Sequence, residues 1–249
     1  MTPGFTYIKL ANVESQVGQV RRRALLAGAA LSFGAFFWLA GVAAQQHWFD
    51  VDRGARTVIG LARDTRLDAP MQMVSLLGEG SGLIPLIALL SLLLWQGARR
   101  RWALALPVIM VGTGVLQFFA KWAVDRPRPN LAPWGFPSGH VLSLVVFFGL
   151  IAYLLITSRM GRNWRYLGGV AGAGTVLAVA FSRLYLDVHW LSDVVAGFAL
   201  GLAYLLLTIW LVESLRYRRL RRAVVSLTPS DWAADAVDSL AAEHATTSA

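Results

Sequence analysis

Long apolar runs separated by short polar stretches dominate the chain. The first of them, Ala24–Ala44, is long enough to cross a bilayer as one helix, since a hydrocarbon core about 30 Å thick needs roughly 20 apolar residues in helical form. Five more runs follow at Gly82–Gly97, Trp102–Ala120, Val141–Thr157, Tyr166–Phe181 and Val194–Val212. The second is short, and reaches full length if it begins near Pro70–Leu77 with Glu79 at a protein-lined interface. Small residues close Ala24–Ala44 as they would a signal peptide, but the run exceeds the roughly 7–15 residues of a signal h-region, so an uncleaved first span is expected. Between the first two spans, His47–Leu67 mixes Trp48, Phe49, Val58, Ile59 and Leu61 with Asp50, Asp52, Arg53, Arg56, Arg63 and Asp64. That pattern suits an amphipathic segment on the outer membrane surface, which either guides a lipid or covers helix ends. The pattern as a whole predicts an all-α integral membrane bundle of six transmembrane helices with an outer interfacial amphipathic segment.

Composition agrees, with 56% hydrophobic and only 15% charged residues, where soluble domains carry about 25% charged. A disordered chain, a coiled coil and a solvated nucleic-acid-binding domain are excluded. The net charge of +9 therefore belongs to loops beside a bilayer and not to a nucleic-acid surface. Arg21–Arg23, Arg99–Arg101, the group Arg159, Arg162 and Arg165, and the group from Arg216 to Arg222 fall on alternate connections. The positive-inside rule then puts both termini in the cytoplasm. Trp48, Trp122, Trp134 and Trp190 fall near the outer ends, and Trp95, Trp102 and Trp164 near the inner ends, as an aromatic belt requires. Three regions are expected: a cytoplasmic segment at 1–23, a six-helix membrane domain at 24–215, and a basic then acidic cytoplasmic tail at 216–249. A short helix is expected near Ser230–Leu240 in that tail. The chain has no cysteine, so it has neither a disulfide framework nor a thiolate site.

The polar residues gather unevenly. Lys121, Arg126 and Arg128 follow the third span, Ser138 and His140 open the fourth, and Arg183, His189 and Asp193 lie between the fifth and sixth. All fall on the outer side, where the charge rule disfavours cations. Taken singly, each group has a plain structural reading. Lys121–Pro129 reads as a rigid cationic loop, and Pro137-Ser138-Gly139-His140 as a helix start with Ser138 as N-cap. His189 and Asp193, at i and i+4, fit a structural pair about as well as a catalytic one. Asp125 and Asp187 read as ordinary interfacial charges. Convergence at one face suggests more. Lys121 and Arg128 are fixed cations, and arginine can grip phosphate through two parallel hydrogen bonds. The helix opening at 137–140 offers free backbone N–H groups to an anion, which Gly139 would let come close. Asp193 can fix the His189 tautomer and leave the other ring nitrogen as a nucleophile, while His140 is free to act as acid and base.

Together these residues resemble the three-part signature of the type 2 phosphatidic acid phosphatase superfamily: Lys-x6-Arg-Pro, Pro-Ser-Gly-His and Ser-Arg-x5-His-x3-Asp. The chain has Lys121 with six residues to Arg128-Pro129, then Pro137–His140, then Ser182-Arg183 with five residues to His189 and three to Asp193.

The resemblance implies that His189 attacks phosphorus and becomes phosphohistidine, held by Asp193. His140 would protonate the leaving oxygen and then activate water. Lys121, Arg128, Arg183 and the Ser138–Gly139 backbone would bind the phosphoryl oxygens. Arg126, in a second Arg-Pro pair, competes with Arg128, which the spacing favours. No metal or other cofactor is implied. The expected enzyme is a multi-pass lipid phosphate or pyrophosphate phosphatase of a bacterial cytoplasmic membrane, with its site on the extracytoplasmic face. Its partners would be the bilayer and a lipid phosphate: undecaprenyl pyrophosphate, slightly preferred, phosphatidylglycerol phosphate, phosphatidic acid or a lipid A phosphate. A lipid-linked phosphotransferase using the same site, or a silent membrane interaction protein, are the rival readings.

Overall fold

Helix covers every apolar run that the hydropathy pattern marks. The computed structural model describes residues 3–45, 49–97 and 99–227, and no strand occurs among them. Eight α-helices follow in order: α1 Pro3–Ala44, α2 Asp50–Leu61, α3 Asp68–Leu76, α4 Gly80–Gln96, α5 Arg100–Val124, α6 Gly139–Ile156, α7 Arg162–Tyr185 and α8 Leu191–Leu227. A single 3₁₀ turn, Thr65–Leu67, leads into α3. Five helices are singly long and apolar enough to span: Gly18–Ala44, Arg100–Val124, Gly139–Ile156, Arg162–Tyr185 and Leu191–Leu215.

The sixth candidate is a bent pair. Thr65–Leu76 and Gly80–Gln96 pass the same test only together, bent by 41°, as in a broken span or a re-entrant loop. The apolar stretch upstream of Gly82 forms a separate helix, and Glu79 stands at the break. Trp48 and the Ser230–Leu240 segment lie outside the described residues.

The chain forms two compact units, Met1–Thr208 and Ile209–Ala249. In the second unit, α8 continues to Leu227. The first unit contains all the signature residues. One core cluster joins Phe36, Leu39 and Ala43 of α1 to Val124, Phe136, Leu142 and, on α8, Ala196 and Leu200. A second cluster joins Val141, Ala180 and Val194, tying α6, α7 and α8 together. Many apolar side chains face outward, among them Leu31, Phe37, Val108, Val111 and Leu177, as lipid-facing positions of a spanning helix should.

Arginine closes the opposite end of α6 from the signature. Arg99 donates to the carbonyls of Leu154 at 3.0 Å and Thr157 at 3.4 Å, and Arg165 donates to Ile156 O at 3.3 Å. Cations there satisfy the carbonyls left free at a helix C-terminus and meet its negative dipole end.

Candidate active site

Successive antiparallel helices bring the signature to one end of the first unit. Lys121 lies on the last turn of α5, Ser138, Gly139 and His140 start α6, Arg183 ends α7, and Asp193 is in the first turn of α8. His189 lies in the short turn between α7 and α8. The arrangement follows from hydropathy alone, because each reversal places the end of one apolar run beside the start of the next.

Asp193 is held from several sides. Its Oδ2 accepts the Trp190 N–H at 2.9 Å and faces His189 Nδ1 at 3.4 Å, and its Oδ1 accepts Arg126 Nη1–H at 3.0 Å. As the third residue of α8, it satisfies the backbone N–H just before the helix, the acidic half of a capping box. A carboxylate only accepts, so the ring proton of neutral His189 belongs on Nδ1, leaving the Nε2 lone pair available. Burial pushes His189 down to about 4, against the hydrogen bond and charge of Asp193, with Lys121 and Arg183 pushing further down. At neutral pH the ring is therefore uncharged, as a nucleophile must be.

Basic groups surround this pair. The cations Arg183, Arg128 and Lys121 and the uncharged His189 ring all lie near His140. Lys121 is buried and donates to Trp134 O at 2.6 Å. The connection carrying Arg128 is set by its own backbone: Arg128 N–H donates to Ala132 O at 2.8 Å, and Gly135 N–H to Arg126 O at 2.7 Å. Arg183 donates through Nη1 to Ser75 Oγ of α3. Arg128 Nε, Arg183 Nε, Ser138 Oγ and His140 Nε2 are buried without a hydrogen-bond partner on the protein. Buried polar atoms are normally paired, so four with spare capacity on signature residues mark a place where a polar ligand fits. The first N–H groups of α6, from Gly139 to Val141, likewise have no acceptor within the helix.

Ser138 departs from its expected part as a side-chain cap. It occupies the N-cap position, but its hydroxyl makes no capping bond. Instead its backbone N–H donates to Asp193 O at 2.9 Å, tying α6 to α8. Gly139 has a packing reason as well. A Cβ there would collide with the side chain of Gln117 on α5.

Two further corrections come from α2. Asp52, expected on a segment at the outer surface, is 1% exposed. Its Oδ1 accepts the Ser192 N–H at 2.7 Å, and its Oδ2 accepts Ser192 Oγ–H at 2.6 Å and Arg126 Nη2–H at 2.9 Å. Arg126 also donates to Ser192 Oγ at 2.7 Å and is wholly buried between Asp52 and Asp193. Both of its terminal nitrogens are therefore engaged by carboxylates, whereas no carboxylate pairs with Arg128 among the described residues. Trp190, expected in the aromatic belt, is buried and donates through Nε1 to Pro127 O at 3.1 Å. The signal for Asp52 was its helical face: Asp52, Ala55, Arg56 and Ile59 recur at i, i+3, i+4 and i+7, and that face meets Leu184 and Asp187. Arg56 grips Asp187 through two hydrogen bonds of 2.8 and 2.7 Å.

A groove of about 630 Å³ runs from His140 between α4 and α5. Glu79 and Gln117 line it beside the histidine, and Leu83, Ile84, Met110 and Val111 line it further along. Polar at one end and apolar along the rest, it has the lining of a site for an amphipathic molecule.

The arrangement defines a membrane protein with a buried histidine–carboxylate pair among basic side chains. Residues 102–217 match the PAP2 superfamily. The chain is 33% identical to phosphatidylglycerophosphatase B of Bacillus subtilis (strain 168), over 57% of this chain and 73% of that protein. It is 36% identical to undecaprenyl-diphosphatase of Sulfolobus acidocaldarius over 30% of this chain, though this spans only 32% of that relative. In fold it resembles the crystal structure of a transmembrane PAP2-type phosphatidylglycerolphosphate phosphatase from Bacillus subtilis. That likeness has a TM-score of 0.66 at 25% identity and covers 74% of this chain and 96% of the other. The chain belongs to the PAP2 superfamily, and it is a membrane phosphatase.

Proposed function

We propose that the protein hydrolyses a lipid phosphate or pyrophosphate through a phosphohistidine on His189. The observation that carries this reading is the buried His189–Asp193 pair set beside signature groups with unused hydrogen-bonding capacity. His189 Nε2 attacks phosphorus and the bond to the lipid oxygen breaks, with His140 giving that oxygen its proton. His140 then takes a proton from water, the water oxygen attacks phosphorus, and the P–N bond breaks to restore His189. Lys121, Arg128, Arg183 and the Gly139 backbone N–H hold the phosphoryl oxygens, the expected Ser138 N–H being taken by Asp193 O, and donors fixed in advance stabilise charge that develops in the transition state. These cations and the α6 N-terminus are sufficient to neutralise the phosphoryl group, so the reaction needs no divalent ion.

The groove between α4 and α5 supports a lipid substrate, because its apolar length beyond His140 suits hydrocarbon. Alternating arginine clusters support cytoplasmic termini and a site on the outer face of a bacterial cytoplasmic membrane. Residues 24–215 form the phosphatase domain in this reading, with 1–23 and 216–249 as cytoplasmic extensions.

Phosphate release by purified protein from undecaprenyl pyrophosphate, phosphatidylglycerol phosphate and phosphatidic acid, in one detergent, tests the proposal. An outward site suits a carrier pyrophosphate, while the relative matched over most of its length bears a glycerolipid name. A tenfold kcat/KM advantage, about 1.4 kcal/mol of transition-state discrimination, chooses between them. His189→Ala should abolish turnover with insertion intact. A phosphorylated intermediate that survives this substitution would defeat the mechanism.

A further inference from the structure

The end of α3 and the break after it deliver three residues to the signature, and none of them belongs to it. Ser75 accepts from Arg183. Gly78 lies against the His140 ring, close enough that an added Cβ would stand 2.9 Å from its Cβ and Cδ2. Glu79 places Oε1 3.7 Å from His140 Nε2. That nitrogen is buried and makes no hydrogen bond. Glu79 itself is half-exposed and lines the groove beside His140.

We infer that Glu79 is a positioning residue for His140, holding the protonated ring ready to protonate the leaving oxygen. The inference rests on the phosphatase reading above. Arg183 from α7, Arg128 from the connection before α6 and Lys121 from α5 put positive charge around a His140 ring that burial also cuts off from water, with His189 also facing it. Glu79 supplies an opposing charge, and the distance to Nε2 is that of an ion pair without a direct hydrogen bond. The ring proton is therefore attracted without being captured, and remains available to a substrate oxygen. The same carboxylate lies within electrostatic reach of Arg183 as well. Gly78 completes the device by allowing the chain to pass flat against the ring.

The break between α3 and α4 thus has a chemical role: a continuous helix would carry residue 79 away from its extended conformation (φ −84°, ψ 162°) beside His140.

The test is the pH profile of phosphate release from phosphatidylglycerol phosphate in detergent for the parent chain, Glu79→Gln, Glu79→Asp and Gly78→Ala. Loss of a neighbouring charge at this distance and exposure moves a proton affinity by about one pH unit, or tenfold in population. Glu79→Gln should therefore move the alkaline limb of kcat/KM down by about one pH unit, with activity converging on the parent's at acidic pH. Glu79→Asp should restore part of the shift. Gly78→Ala displaces the ring instead, and should lower activity evenly across pH. An alkaline limb unmoved in Glu79→Gln overturns the inference, whether activity is unchanged or scaled evenly. So does tighter binding of inorganic phosphate with no shift, which would make Glu79 an anion-repelling gate. Failure of the parent chain to release phosphate would instead strike the phosphatase reading.

Discussion

Replacing Asp52 with alanine removes a carboxylate that no signature motif contains, and the consequences should be large. Asp52 takes hydrogen bonds from Ser192 N–H, Ser192 Oγ–H and Arg126 Nη2–H, all within 2.9 Å, and both acid and base are inaccessible to solvent. Removing one partner of a buried ion pair costs about 3–5 kcal/mol, since the remaining charge stays buried. Asp193 still holds Arg126, which places the expected loss toward the lower end. For a chain of this size, 1 kcal/mol moves the melting midpoint by roughly 2–4 °C, so Asp52→Ala should melt roughly 6–20 °C below the parent in the same detergent. Asp52→Asn keeps an acceptor for the Ser192 N–H but turns an amide toward Arg126, for a smaller loss of about 1–3 kcal/mol.

Activity should fall as well, and by a particular route. With Asp52 gone, Arg126 draws on Asp193 alone, and Asp193 then binds the His189 ring less strongly. Turnover measured below the lowered midpoint should show reduced kcat with KM little changed, because Lys121, Arg128 and Arg183 keep their places. An Asp52→Ala protein that melts with the parent and keeps its kcat would refute the reasoning.

The neutral state of His189 makes stability depend on pH. Its folded-state value of about 4 lies below that of an unfolded histidine, near 6.5. The unfolded chain thus binds more protons in that interval, and stability present above about pH 6.5 is lost as pH falls toward about 4; melting curves should show this slope and His189→Gln should flatten it. Phosphate release should persist in EDTA and be inhibited by vanadate, which mimics five-coordinate phosphorus, whereas an absolute requirement for magnesium would count against a site that neutralises charge with side chains. In this cysteine-free chain, Asn130→Cys should react with an impermeant thiol reagent in intact cells and Arg162→Cys should not; reversed labelling would overturn the proposed orientation.

Much of the fold was legible because membrane helices declare themselves through length and hydropathy, which survive without knowledge of packing. The bend between α3 and α4 was less so. Gly78, Gly80 and Gly82 signal a weak helix there, but glycine is common in spanning helices that continue. What fixes the break is the contact of Gly78 with His140 and of Ser75 with Arg183, and both join residues more than sixty positions apart. Asp52 was obscured for a related reason. In sequence it is one of several charges in an amphipathic stretch, and Asp50, two residues earlier, is almost fully exposed.

The signature residues could be read from spacing because phosphoryl chemistry restricts which side chains serve and how far apart they stand. The charges behind them follow a looser rule, that buried charge be compensated, which any suitably placed carboxylate satisfies. Arg126 shows how much that rule decides. Spacing favoured Arg128 for the phosphate-binding role, with Arg126 of the second Arg-Pro pair as its competitor. Burial separates them, since Arg126 has no exposure and lies between two carboxylates. Those three groups carry one positive and two negative charges, so one negative charge is left over. With Asp52 and Arg126 largely offsetting each other, that excess rests on Asp193, beside His189, where the proposed mechanism makes the imidazole positive as the N–P bond forms. Without Asp52 the balance at Arg126 and Asp193 is neutral, and the developing charge on the nucleophile loses its counterion. In the proposed mechanism, the buried acid on α2 thereby sets how much negative charge the reacting histidine feels.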